Sequence, residues 1–198
     1  MHGLINRAVE RFARDTYGDA FWRSVADDAG LLFSSFEAML TYERGVTDRV
    51  VNALSDALGK QREEVLEDLG TYLVASPKTD ALRRLLRFGG TDFVEFVNSL
   101  DELPARVRLA VPDLPMPHIE LKEDDPDRFS VVIKSRPGTE GLFAHVLSGL
   151  LRAMADDYGA LVFLDLNKDE DGTDVIDVCL LDVDFAEARN FELGVQSG

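Results

Sequence analysis

Leu100-Asp101-Glu102-Leu103-Pro104-Ala105-Arg106-Val107, running on to Val111-Pro112-Asp113-Leu114, is the stretch on which the reading of the fold turns. Apolar residues upstream and within it fall at Phe93, Val97, Leu100, Pro104, Val107 and Val111. Steps of three and four keep these positions on one face of a helix, so Pro104 faces inward. A proline inside a straight helix removes the bond to the Leu100 carbonyl and clashes with it, at a cost of about 3 kcal/mol or more. Two forms satisfy the pattern. One is a kinked but continuous helix. The other is a helix that ends near Leu103 and a second that starts with Pro104 in its first turn. In both, residue 104 supplies no side-chain donor and no metal ligand.

Upstream of this stretch the pattern is helical. Leu4, Ile5, Ala8, Val9, Phe12 and Ala13 recur at helical spacing up to Tyr17, and Gly18 marks a stop. A short helix carrying Phe21, Trp22 and Val25 follows over 19–29, and residues 30–46 have no clear period. Thr47 or Asp48 is the expected cap of a helix reaching Leu58, with Val50, Val51 and Leu54 on one face and Gly59 as its end. Residues 62–75 repeat the pattern until Pro77 breaks it, and 80–88 form a further short helix ended by Gly89-Gly90. Thr91 is the expected cap of the long segment 92–111.

Downstream, Pro112, Pro115 and Pro117 exclude regular helix between 112 and 117. Residues 118–122 and 129–134 read as a hairpin joined by Asp124-Asp125-Pro126-Asp127. A helix follows over 141–158, with Leu142, Val146, Leu150 and Met154 on one stripe. Two more strands cover 160–166 and 175–183. The order is helices first and then β-β-α-β-β, which predicts an α+β fold with an antiparallel sheet. The expected organisation is a single domain over 1–198, with a helical subdomain over about 1–111 and an α+β subdomain over about 112–198.

Composition limits the function. The chain has 198 residues, 45% of them hydrophobic, and a formal net charge of −16. That apolar share excludes a disordered acidic chain. The acidity disfavours nucleic acid and anionic membrane as partners, because phosphate binding needs basic patches. Cys179 is the only cysteine, which excludes an internal disulfide and a multi-cysteine metal site. No apolar run is long enough to span a bilayer, and the N-terminus lacks a secretory apolar region, so a soluble, cytoplasmic protein is expected.

Catalytic patterns find little support. His2, His118 and His145 form no metal-binding pair, and neither a nucleophile elbow nor a phosphate-cradling glycine loop occurs. The loop 167–174 imitates a calcium loop, with Asn167, Asp169 and Asp171 at alternate positions followed by Gly172. Its twelfth position, which should be a bidentate carboxylate, is Val178. A hairpin turn is the better reading. The chain is therefore expected not to be an enzyme.

Four stretches together resemble the haem nitric oxide/oxygen-binding (H-NOX or HNOB) family, which includes the haem domain of soluble guanylate cyclase and bacterial relatives. They are Met1-His2-Gly3-Leu4-Ile5-Asn6 through Asp15-Thr16-Tyr17-Gly18 to Trp22, Glu64-Val65-Leu66-Glu67-Asp68-Leu69-Gly70, the Leu100–Leu114 stretch, and Glu140-Gly141-Leu142 through Gly149-Leu150-Leu151. The resemblance implies an H-NOX-like fold, a haem cofactor, nitric oxide or other gas sensing, and a signalling partner such as a cyclase or kinase. It places Pro104 where the family has its proximal haem histidine. Proline has no lone pair to give iron, so family-type signalling cannot run from residue 104. The family's Tyr-x-Ser-x-Arg propionate motif falls on Ile133-Lys134-Ser135-Arg136-Pro137, where only the serine matches. Arg136 is either a substitute propionate partner or a solvated hairpin arginine.

By resemblance the pocket is lined by Ile5, Leu73, Pro104, Pro117 and Val146, with His118, Ser135 and Arg136 as further cofactor-binding candidates and His145 as a remote alternative ligand. The ligand is then haem bound atypically or another flat apolar small molecule. The competing expectation is a ligand-free adaptor acting through protein contacts, its interior filled by Leu73, Phe88 and Phe143.

Overall fold

Local capping chemistry sets most element boundaries in the computed structural model, which describes residues 1–188. Helix α1 (Gly3–Tyr17) starts where the His2 ring Nδ1 accepts from the Leu4 amide at 3.2 Å, and ends at Gly18. Helix α2 (Asp19–Asp28) buries Trp22 and Val25. Helix α3 (Arg44–Leu58) begins earlier than the expected cap, because Thr47 is engaged elsewhere. Its hydroxyl donates to Asn6 Oδ1 at 2.6 Å, and both residues are buried. Gly59 closes α3 in the left-handed conformation at φ 62°. Helix α4 (Arg62–Ala75) opens with a reciprocal capping box between Gln61 and Glu64. Pro77 then starts a single 3₁₀ turn that leads into α5 (Asp80–Arg87).

The long segment expected over 92–111 is three pieces. Helix α6 (Phe93–Asn98) is capped by Asp92 rather than Thr91, its carboxylate accepting from the Glu95 amide at 2.8 Å. A 3₁₀ turn over Leu100–Glu102 follows, and α7 (Leu103–Ala110) carries Pro104 in its first turn. Of the two forms left open by the sequence, the break is the one adopted. A first-turn proline forfeits no intrahelical bond, since that amide would be an orphan in any case. Phe93, Val97, Leu100 and Pro104 are all buried, so the stripe holds across the break.

Strands β1 (His118–Asp125) and β2 (Arg128–Lys134) form the expected hairpin, α8 (Leu142–Tyr158) follows, and β3 (Leu161–Lys168) and β4 (Asp174–Asp182) form a second hairpin. The sheet is antiparallel in the order β1-β2-β4-β3, which bears out the α+β reading. The calcium-like loop is a closed turn. Asp169 Oδ1 accepts from the amides of Asp171 at 3.0 Å and Thr173 at 2.8 Å, and Gly172 takes φ 79°. The expected α+β region ran to residue 198, and 189–198 lie outside the described residues.

One apolar core lies among α1–α4 around Trp22, Phe36 and Leu54. A second lies among α6, α8 and the sheet around Leu100, Leu151 and Ile176. Helices α4 and α8 join the two and pack backbone to backbone. A Cβ on Gly149 would sit 1.9 Å from the Glu67 carbonyl oxygen, and one on Gly70 would sit 2.0 Å from that of Val146.

The Thr47–Asn6 contact gives a first prediction. Thr47→Val keeps the volume but leaves the Asn6 amide oxygen buried without its donor. Chemical denaturation should show a loss of about 1–3 kcal/mol. A loss within error of zero would show that the hydroxyl does not stabilise the fold.

Candidate functional site

A cavity of about 560 Å³ opens between the two cores. That volume lies in the range of roughly 300–1,000 Å³ usual for small-molecule sites. Each wall follows from an amphipathic element that points two ways. On α1, Val9 and Phe12 enter the first core, while Leu4, Ile5 and Ala8 on the adjoining flank are only half-buried and face the cavity. Helix α4 contributes Leu66, Leu69 and Leu73, α5 contributes Leu82 and Leu85, and α7 contributes Leu103 and Val107. Met116 and Pro117 from the proline-rich stretch, and Phe143, Val146 and Leu147 from α8, complete it.

Strand parity decides which hairpin residues reach the cavity. Ile119 and Ile133 are register partners, and both line it. The neighbouring pair, His118 and Lys134, faces outward on the same register. His118, expected near the pocket, is 66% exposed, and its Nε2 lies 3.2 Å from Glu120 Oε1.

Of the other expected residues, Ile5, Leu73, Pro117 and Val146 line the cavity. Pro104 is buried beside the lining residue Leu103 but is not itself part of the wall. Ser135 is half-buried and Arg136 exposed, both outside the wall. The backbone carbonyl of Arg136 accepts from the Thr139 amide at 3.0 Å and its hydroxyl at 2.9 Å, which closes the turn after β2. His145 stands outside the wall with Nδ1 3.6 Å from Glu67 Oε1. Among the residues expected to fill the interior, Leu73 and Phe143 line the cavity, whereas Phe88 is 71% exposed.

Sequence reasoning missed the polar members of the wall, Arg7, Arg11, Tyr72, Lys78 and Thr79. Periodicity assigns Arg7 and Arg11 to a solvated helix face, and only the packing of α1 against the α4–α5 turn brings them to the cavity. There the Tyr72 hydroxyl donates to Asp15 Oδ2 at 2.6 Å, and Lys78 Nζ donates to Asp15 Oδ1 at 2.6 Å.

Partial burial, reinforced by the Asp15 carboxylate, pushes the Tyr72 phenol up to about 12. For Asp15, desolvation raises the pKa, but the hydrogen bonds from Lys78 and Tyr72 outweigh it and hold the carboxyl below its ordinary value. The sign follows for each group. Tyr72 contributes stability that is complete below its ordinary value of 10.0 and fades as pH rises through about 12. Asp15 contributes stability that is present above its ordinary value of 3.8 and is lost as pH falls below it. Alkaline titration of tyrosinate absorbance should lose its component near 12 in Tyr72→Phe. An unchanged titration curve would contradict the assignment.

The sequence pattern of the Haem-NO-binding family matches residues 2–186. The chain belongs to the Haem-NO-binding family. Soluble guanylate cyclase gcy-31 of Caenorhabditis elegans is 24% identical over 157 residues, 79% of this chain and 22% of that protein. Soluble guanylate cyclase 89Db of Drosophila melanogaster is 23% identical over 159 residues, 80% of this chain and 24% of that protein. The chain thus spans less than a quarter of the length of these two relatives.

Among solved structures, the unliganded Fe(II) H-NOX protein from K. algicida superposes with a TM-score of 0.75 at 19% identity, covering 97% of this chain and all of that one. The Fe(II)NO form of the S. oneidensis H-NOX protein gives 0.72 at 16% identity, covering 92% of this chain and all of that one. This Haem-NO-binding domain therefore has the H-NOX fold, and its cavity lies between the helices and the sheet. No helix among the described residues is long and apolar enough to cross a membrane.

Proposed function

We propose that this Haem-NO-binding domain is a sensory module whose cavity takes an apolar small molecule without a histidine–iron bond. The observation that carries the reading is the cavity itself, open and walled mainly by leucine, isoleucine, valine and alanine side chains. An interior filled by its own side chains, as a ligand-free adaptor requires, would leave no such space.

The donor chemistry at the wall does not fit a histidine-held haem. No histidine or cysteine lines the cavity among the described residues. Of the groups there able to approach iron, the Tyr72 hydroxyl and the Lys78 amine are both engaged by Asp15, which leaves the Met116 thioether. On the family resemblance, the position of the iron-binding histidine is Pro104, and the propionate motif falls where Ile133 enters the wall and Arg136 stays in solvent.

A ligand here touches α1, α4, α5, α7 and α8 together. It can bias the equilibrium between two arrangements of these helices only by binding one of them more tightly. The readout passes to a partner protein, and the kinship with guanylate cyclases points to a signalling enzyme. The net charge of −16 suits a basic patch on that partner.

Titration with Nile red, a neutral apolar dye, tests the reading. Enhanced fluorescence with saturable binding is expected. Val146→Phe, which places a ring in the cavity, should weaken binding at least about tenfold. Circular dichroism verifies that the variant is folded. A folded wild-type chain that binds no dye would overturn the proposal.

A further inference from the structure

The cavity wall selects one sign of charge. The chain carries 37 acidic against 21 basic residues, yet the wall includes Arg7, Arg11 and Lys78 and no aspartate or glutamate among the described residues. Arg11 and Lys78 both lie beside Asp15 at one rim. Arg7 and Arg11 are four residues apart on α1 and project from one face. Asp15, a further turn along, holds Lys78 Nζ at 2.6 Å and so brings the turn after α4 to the same edge.

Donors remain open at this rim. Arg7 donates through Nη1 to the Phe36 carbonyl at 2.8 Å, and no hydrogen bond within the described residues engages its remaining nitrogens. Arg11 is exposed, and its side chain makes no hydrogen bond or ion pair within the described residues. Asp15 lies close enough to feel the Arg11 charge without bonding to it. Asp15 pairs with Lys78 and leaves Arg11 without a bonded counter-ion, so a donor fork remains for an incoming anion. Guanidinium forks match a carboxylate in geometry and form charge-assisted bonds with it.

We propose that the cavity takes a long-chain carboxylic acid, its hydrocarbon chain among the leucines and its carboxylate accepting from Arg11 and Lys78 at the rim. This rests on the reading of the cavity as a ligand site and adds the chemical class of the ligand. The apolar wall supplies the transfer of the chain from water, and the cations fix its orientation.

Calorimetric titration with oleate and with oleyl alcohol, each below its aggregation threshold, separates the two contributions. Oleate should bind at least about tenfold more tightly than the alcohol. Arg11→Gln combined with Lys78→Gln should bring oleate down to the affinity of the alcohol. Both side chains are largely solvent-facing, so the variant is expected to fold, with circular dichroism as the check. Equal affinity of the wild type for oleate and oleyl alcohol overturns the carboxylate inference, as does a preference that survives the double variant. If the dye binds and the head group makes no difference, only this inference falls. If dye and both lipids all fail on the folded chain, the cavity reading falls with it.

Discussion

Asp157→Ala should cost about 3–5 kcal/mol in urea denaturation at neutral pH. Asp157 is fully buried near the end of α8. Its Oδ1 lies 2.6 Å from Arg83 Nη2 and 2.9 Å from Arg83 Nε, and its Oδ2 lies 3.6 Å from Arg87 Nε. Both arginines belong to α5 and are themselves mostly buried. Arg87 also lies over the Tyr158 ring at 3.9 Å, and the Tyr158 hydroxyl donates to the Gly90 carbonyl at 2.8 Å. The cluster therefore fastens α5 to α8.

Removing the carboxylate takes a buried negative charge away from two mostly buried guanidinium groups, and that penalty exceeds the loss of the bonds alone. Asp157→Asn keeps the shape and one acceptor, so it should lose less than Asp157→Ala. A loss below about 1 kcal/mol for the alanine variant would place the pair in the class of weak surface bridges and contradict the account. Because α5 forms part of the cavity wall, the destabilised variant should also bind Nile red more weakly.

Gly149→Ala should destabilise by about 3 kcal/mol, although glycine to alanine inside a helix ordinarily gains about 0.5–1 kcal/mol. The reversal of sign is the informative part. The added Cβ would meet backbone on the facing helix, at 1.9 Å from the Glu67 oxygen and 2.7 Å from its carbon, and no rotamer change relieves that. Helices α4 and α8 would have to move apart. Gly70→Ala presses on the same crossing, 2.0 Å from the Val146 oxygen, so the two losses should not add in the double variant. Gly45→Ala in the first turn of α3 is the control. Its Cβ would meet only the end of Arg49 at 3.5 Å, and no loss of stability is expected. A stabilised Gly149→Ala protein would show that the close crossing does not exist in solution.

These two sites also mark where the sequence is legible and where it is not. The element order and the antiparallel sheet follow from apolar period and turn residues, which act locally. The break at Pro104 is legible too, since an inward mid-helix proline permits only a kink or a restart. The choice between them rests on the 3₁₀ turn at Leu100–Glu102, which depends on packing that no local pattern reports. Thr47 looks like a cap from its type and place, but its hydroxyl goes to Asn6 on a distant helix. His118 follows Pro117, a cavity residue, yet faces solvent because one step along a strand reverses the side chain.

The cavity is half-legible. Ile5, Leu73, Pro117 and Val146 come from the family resemblance, and each lies on the wall. The cationic rim does not come from it. Arg7 and Arg11 have the spacing of a solvated face, and Lys78 sits in a turn, so their convergence is a property of the tertiary fold. Gly70 and Gly149 are equally silent in sequence, since glycines inside helices show their purpose only when a second backbone is seen against them.

The most direct test of the central claim is an absorption spectrum through the Soret region, taken after the protein has been given excess haem and passed through a desalting column. The account predicts no sharp, shifted Soret band and far less than stoichiometric haem, because no histidine among the described residues stands at the cavity wall. A sharp, shifted band with near-stoichiometric haem would contradict it, and His118→Ala and His145→Ala would then show which side chain holds the iron.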